Sequence, residues 1–146
     1  MLELLLNGFS VALSGTNLFL VVIGCFLGTV IGMLPGIGPI NAIAILFPIV
    51  LQFEMPASSA LIFFSGIFYG SQYGNSISSI LLNVPGTSSA AVTCIDGHPL
   101  ANQGRAGPAL AMSAVASFVG GTISIFFLII FAPFLSKLAI DFGPAE

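Results

Sequence analysis

Apolar positions run along this chain in three long blocks without a formal charge, residues 4–53, 55–95 and 106–136. A membrane helix needs about 20 predominantly apolar residues, so the blocks have room for roughly four or five membrane segments. The runs are continuous rather than alternating, which speaks against a transmembrane β-barrel. In detail the pattern predicts an interfacial helix over 1–14, interrupted by Glu3 and Asn7. A spanning helix follows over 17–34, with Asn17 as its N-cap. Residues 35–52 read as a Pro-Gly break and a short helix, and 57–95 as broken helices with a polar stripe. Residues 96–107 read as a solvent loop, with Asp96-Gly97-His98-Pro99 as its turn signal. A last spanning helix covers 108–132, opened by Pro108 and ended or kinked by Pro133.

Within these blocks the small residues are spaced regularly. Gly24, Gly28 and Gly32 recur every four residues, as do Gly66, Gly70 and Gly74. At 3.6 residues per turn each trio shares a helix face. Small residues on one face let a second helix approach closely in lipid. Ser113, Ser117 and Gly121 repeat the spacing in the last helix.

Two segments interrupt the helical pattern, Pro35-Gly36-Ile37-Gly38-Pro39 and Val84-Pro85-Gly86-Thr87-Ser88. Proline lacks a backbone donor and restricts its predecessor, so no α-helix runs through either. In hydrocarbon, broken backbone survives only where protein or a water-filled cavity satisfies it, so the first break either lies outside the membrane as an ordinary turn or lines a cavity within it. The polar but uncharged run from Ser71 to Ser79 precedes the second break. On a helix Ser71, Asn75, Ser78 and Ser79 share a face that Asn83 extends. Such a stripe facing lipid is costly, so it faces helices, water or a ligand.

Composition agrees with a membrane setting. Charged residues make up 5% of the 146, and the mean hydropathy is +1.15. An ordinary soluble domain carries about 25% charged residues. The fold class is therefore an all-α integral membrane protein. It is expected to be a polytopic helical bundle with broken, re-entrant half-helices. The net charge of −3 argues against nucleic acid. Cys25 and Cys94 form no metal spacing, and His98 is the sole histidine, so no two-histidine zinc site forms. No nucleophile motif frames the serines, and no Lys follows Pro35–Pro39 as in a phosphate loop. An enzyme is not expected. Broken helices near the bilayer midplane are how secondary transporters build sites. The candidate substrate or ion site is thus Pro35, Gly36, Gly38 and Pro39 of the first break. It adds Asn75, Ser76, Ser78, Ser79 and Asn83 of the stripe, and Pro85, Gly86, Thr87 and Ser88 of the second break. No resident metal or cofactor is expected. A coupling cation, Na+ or H+, is expected at that site.

The same residues carry a family resemblance. Gly32-Met33-Leu34-Pro35-Gly36-Ile37-Gly38-Pro39 resembles the first signature of the large membrane subunit of tripartite tricarboxylate transporters. The run from Tyr69 to Thr87 resembles the second, and Thr93 to Ala101, with Gly104, Gly107 and Leu110, continues it. Asn75 departs from the pattern, which has glycine there, and so puts a side chain where close backbone approach is expected. The resemblance implies a multi-pass permease subunit of the bacterial inner membrane, taking up tricarboxylates or related carboxylates on an ion gradient. It implies a small membrane subunit and a periplasmic solute-binding protein as partners. It also implies a second, related half that this sequence lacks, as in an inverted-repeat carrier. Two other readings remain: a passive channel element, or a structural subunit whose glycine and serine faces only pack helices.

Overall fold

The computed structural model describes residues 2–141, with the side chains of Leu2, Leu4, Leu5, Pro133 and 136–141 left out. Among the described residues the structure is all-helical. The helices are α1 (Leu2–Ala12), α2 (Gly15–Gly32), α3 (Pro39–Gln52), α4 (Ala57–Leu82), α5 (Ser88–Leu100) and α6 (Ala106–Asp141). A kink at Gly104, within Ala101–Arg105, joins the last two. The chain divides into two compact units, Met1–Ala111 and Met112–Glu146. Two stretches are long and apolar enough to cross a membrane, Gly15–Gly32 and Ser88–Ala132.

The first unit is organised by the α2–α4 pair. Gly24, Gly28 and Gly32 are buried on α2, and Gly66, Gly70 and Gly74 on α4. Their neighbours are backbone atoms of the opposite helix. A Cβ on Gly24 would stand 2.6 Å from the Phe63 carbonyl oxygen, and one on Gly66 2.6 Å from that of Val21. At Gly28 it would run into the Ile67 main chain, at Gly70 into that of Cys25, and at Gly74 into that of Thr29 and Gly32. Both glycine faces therefore meet each other, and the helices approach to a distance only Cα hydrogens allow. An apolar cluster of Ala42, Val50, Phe63 and Ile67 seats α3 beside this pair.

What is buried and what is exposed are inverted relative to a soluble domain. Asn17, Ser59, Ser71, Asn75, Ser78 and Ser79 are buried, while Phe19, Val22, Phe26, Ile40 and Leu61 are exposed. A water-soluble surface does not carry this much continuous apolar area. In the second unit no described side chain is buried, and Phe127 stacks on Phe131 at 6.3 Å between ring centroids.

Three sequence expectations need correction. Asn17 does not cap α2, which begins at Gly15 behind Ser14; its Nδ2 donates to the Val11 carbonyl at 2.8 Å, tying α1 to α2. The segment 96–107 is not a solvent loop. α5 continues to Leu100, and the helical path breaks only at Gly104, whose φ of +77° makes a kink among the exposed residues 102–105 before α6. Packing overrides the turn signal here. Gly97 lies against the Ile80 side chain, and His98 Nδ1 donates to the Ile80 carbonyl at 3.0 Å. That carbonyl belongs to the last turn of α4, where intrahelical donors have run out. Helix α6 does not end at Pro133 but runs on to Asp141.

Candidate functional site

Both breaks end in helix N-termini, and the fold sets them side by side. Gly36 at φ +82° turns the chain after α2, and Pro39 opens α3. The cap of α3 is Gly38, which has no side chain to satisfy the first amides, and the first intrahelical bond runs from Ala42 N–H to the Gly38 carbonyl at 3.1 Å. At the second break Asn83 terminates α4 in the left-handed region at φ 57°. Thr87 then caps α5, its Oγ1 accepting from Ala90 N–H at 3.3 Å. A Cβ on Gly38 would lie 3.2 Å from Thr87 Cγ2 and 3.5 Å from the Gly86 carbonyl oxygen. One on Gly86 would lie 3.2 Å from the Ile37 carbonyl oxygen. The N–H groups of Ile40 and Asn41, and of Ser88 and Ser89, are thus left without intrahelical partners at one junction. Two helix N-termini there sum their positive ends.

Asn75 sits at the base of the junction. It is 0% exposed, and neither Oδ1 nor Nδ2 has a hydrogen-bond partner within the chain. A Cβ on Gly86 would overlap its Oδ1 and stand 2.8 Å from its Cγ. The glycine the family pattern leads one to expect at 75 is replaced by a side chain, and Gly86 makes the room. The neighbouring hydroxyls are spoken for. Ser78 and Ser79 donate to the Asn75 carbonyl at 3.0 and 2.8 Å, and Ser76 to that of Gln72 at 3.3 Å. Ser71 Oγ is buried without a partner beside Gly32.

Of the residues singled out from sequence, the structure brings together Gly38, Asn75, Gly86 and Thr87, with Pro39 buried next to them. Pro35, Gly36, Asn83 and Ser88 are exposed, and Pro85 is half-buried. Glu3, Glu54, Asp96 and Arg105 are all exposed, so any charge arriving at the junction meets dipoles and amides. The bridge from His98 to α4 escaped sequence reasoning; a lone histidine inside a Gly-Pro run gave no sign of it. An apolar groove of about 530 Å³, lined by Leu20, Ile23, Leu46, Val50 and Phe63 among others, offers no comparable polar partner.

Comparison with known proteins gives three matches. The model of the tripartite tricarboxylate transporter TctA family matches residues 18–146. An uncharacterized 52.8 kDa protein from the TAR-I ttuC' 3' region of Agrobacterium vitis is 48% identical over 100% of this chain and 29% of its own length. An uncharacterized protein of Methanocaldococcus jannaschii is 30% identical over 75% of this chain and 27% of its own length. The chain thus spans under a third of the length of these relatives. No solved structure matches it.

Proposed function

This chain belongs to the tripartite tricarboxylate transporter TctA family, and we propose that it is part of a permease for tricarboxylates or related carboxylates. It is a membrane component of a transport family. In our reading the permease lies in the bacterial inner membrane and crosses it several times. It is driven by an ion gradient and receives substrate from a periplasmic binding protein. A small membrane subunit accompanies it, and further chain, including a second repeat, completes the translocation path.

The observation that carries this reading is the Asn75 amide, fully buried and unpartnered beneath two adjoining helix N-termini. Buried polar groups are nearly always satisfied, and an exception asks for a reason. Helix N-termini favour anions, because the free N–H groups point at them and the dipole adds to the attraction. A substrate carboxylate accepts from the amides of α3 and α5 and from Asn75 Nδ2. The rest of the candidate set, Pro35, Gly36, Ser76, Ser78, Ser79, Asn83, Pro85 and Ser88, shapes the breaks and the stripe around that contact.

The test is equilibrium binding of radiolabelled citrate to the chain in lipid nanodiscs. Saturable binding is expected, weakened about fivefold to 150-fold in Asn75→Leu, the loss of a buried polar partner being about 1–3 kcal/mol. Absence of saturable binding, or equal affinity in parent and variant, refutes the site.

A further inference from the structure

We propose that Asn75 selects for a 2-hydroxycarboxylate: its Nδ2 donates to the substrate carboxylate, and its Oδ1 accepts from the hydroxyl on the adjoining carbon. This rests on the junction being the carboxylate site.

A primary amide presents a donor and an acceptor side by side. Asn75 is 0% exposed, and neither end has a partner in the chain. The free N–H groups at the starts of α3 and α5 are donors, and so is Nδ2. A carboxylate answers all of these. It leaves Oδ1 without a partner, because two acceptors do not pair. The surrounding hydroxyls do not fill the gap. Ser78 and Ser79 donate to the Asn75 main-chain carbonyl at 3.0 and 2.8 Å, and the Thr87 hydroxyl pairs with that of Ser89 at 3.1 Å. Ser71 lies one turn earlier on α4, against Gly32 of α2. The missing donor therefore arrives with the ligand.

The helix ends restrict what that donor is. The positive ends of α3 and α5 oppose an ammonium group, so a neutral hydroxyl fits and a 2-amino acid does not. A hydroxyl on the carbon that bears a carboxylate sets a donor beside an acceptor, the complement of the amide edge. Gly86 closes over that edge, since a Cβ there would overlap Oδ1. No backbone hydrogen bond among the described residues runs from Val84 or Gly86, and Val84 is exposed. The segment over Asn75 is free to draw back and admit a ligand to both ends of the amide. A ligand without the hydroxyl leaves Oδ1 buried and unpaired, and sites built to pair a ligand hydroxyl reject the analogue that lacks it.

Equilibrium affinities for citrate and for tricarballylate, which is citrate without its hydroxyl, are measured on the chain in nanodiscs. The parent is compared with Asn75→Leu and Asn75→Gly. The ratio of the two affinities is compared between proteins, which cancels differences between the free ligands. We expect the parent to bind citrate about tenfold or more tighter than tricarballylate, and that preference to be lost in both variants. Citrate binding no tighter than tricarballylate in the parent gives Oδ1 to a water or a protein donor and overturns the hydroxyl contact. A preference that survives in either variant places the hydroxyl elsewhere and overturns it as well. Tricarballylate carries the carboxylates alone, so its own weakening in Asn75→Leu tests the carboxylate reading separately. No saturable binding of either ligand to the parent overturns that reading along with the selection.

Discussion

Replacing Asn75 by Leu should make the protein more stable. The side chain is 0% exposed and holds two polar atoms that pair with nothing in the chain. In the unfolded chain those atoms hydrogen-bond to water, so burying them costs about 1–3 kcal/mol. Leucine branches at the same carbon and has as many side-chain heavy atoms, but its methyls are bulkier, and the overpacking offsets about 1 kcal/mol of what removing the amide gains. The methyl that replaces Oδ1 comes up against Gly86, which has no Cβ to resist it. The hydroxyls of Ser78 and Ser79 are undisturbed, since they bond to the Asn75 main chain rather than its side chain. The balance is a gain of about 1 kcal/mol. Thermal melting of the helical circular dichroism signal in detergent, without added carboxylate, reads it as a higher midpoint. A midpoint lowered by several degrees would show that the amide is engaged with a partner in the folded protein. That would remove the ground for placing a ligand there. Gained stability with lost citrate binding is the signature of a site held in a strained, unsatisfied state for function.

The glycine interface supplies a sharper structural test: Gly28→Leu places its Cβ on the Ile67 main chain, and a loss of at least about 1–3 kcal/mol is expected. Gly15→Leu, with nothing within 4 Å of its Cβ position, should melt close to the parent; equal losses in the two would locate the effect in helix propensity instead of packing. Gly86→Ala should lose citrate binding by pushing on Asn75, and adding Asn75→Gly should relieve the accompanying destabilisation, so that the double-mutant cycle in melting temperature is strongly non-additive; additive effects would separate the two residues. His98→Ala removes the 3.0 Å hydrogen bond to Ile80 and should cost about 1 kcal/mol, with faster amide exchange in the last turn of α4; unchanged exchange there would mean that His98 does not brace that turn.

Sequence by itself determined the elements that depend on local chemistry. Uncharged apolar blocks dictate membrane helices, because an unpaired backbone or charge is too costly in hydrocarbon. Pro35 to Pro39 and Pro85-Gly86 end helices wherever they occur, since proline removes a donor and glycine relaxes the backbone. The four-residue glycine spacing shows which faces of α2 and α4 are thin, and the structure sets those faces against each other. Only the tertiary structure decided the rest. The run from Asp96 to Pro99 has the local chemistry of a turn, yet the contacts of Gly97 and His98 with Ile80, 18 residues before His98, hold it helical. The stripe reads as five equivalent polar residues. The Ser78 and Ser79 hydroxyls turn inward to their own helix, Ser71 is buried against Gly32 of α2, Asn83 becomes an exposed cap, and Asn75 is left facing the second break with both ends of its amide unspent. The meeting of two helix N-termini over that amide joins segments about 50 residues apart. No local rule encodes such a contact, because it exists only once α2 and α4 have closed together through their glycines and brought both breaks to the same end of the pair.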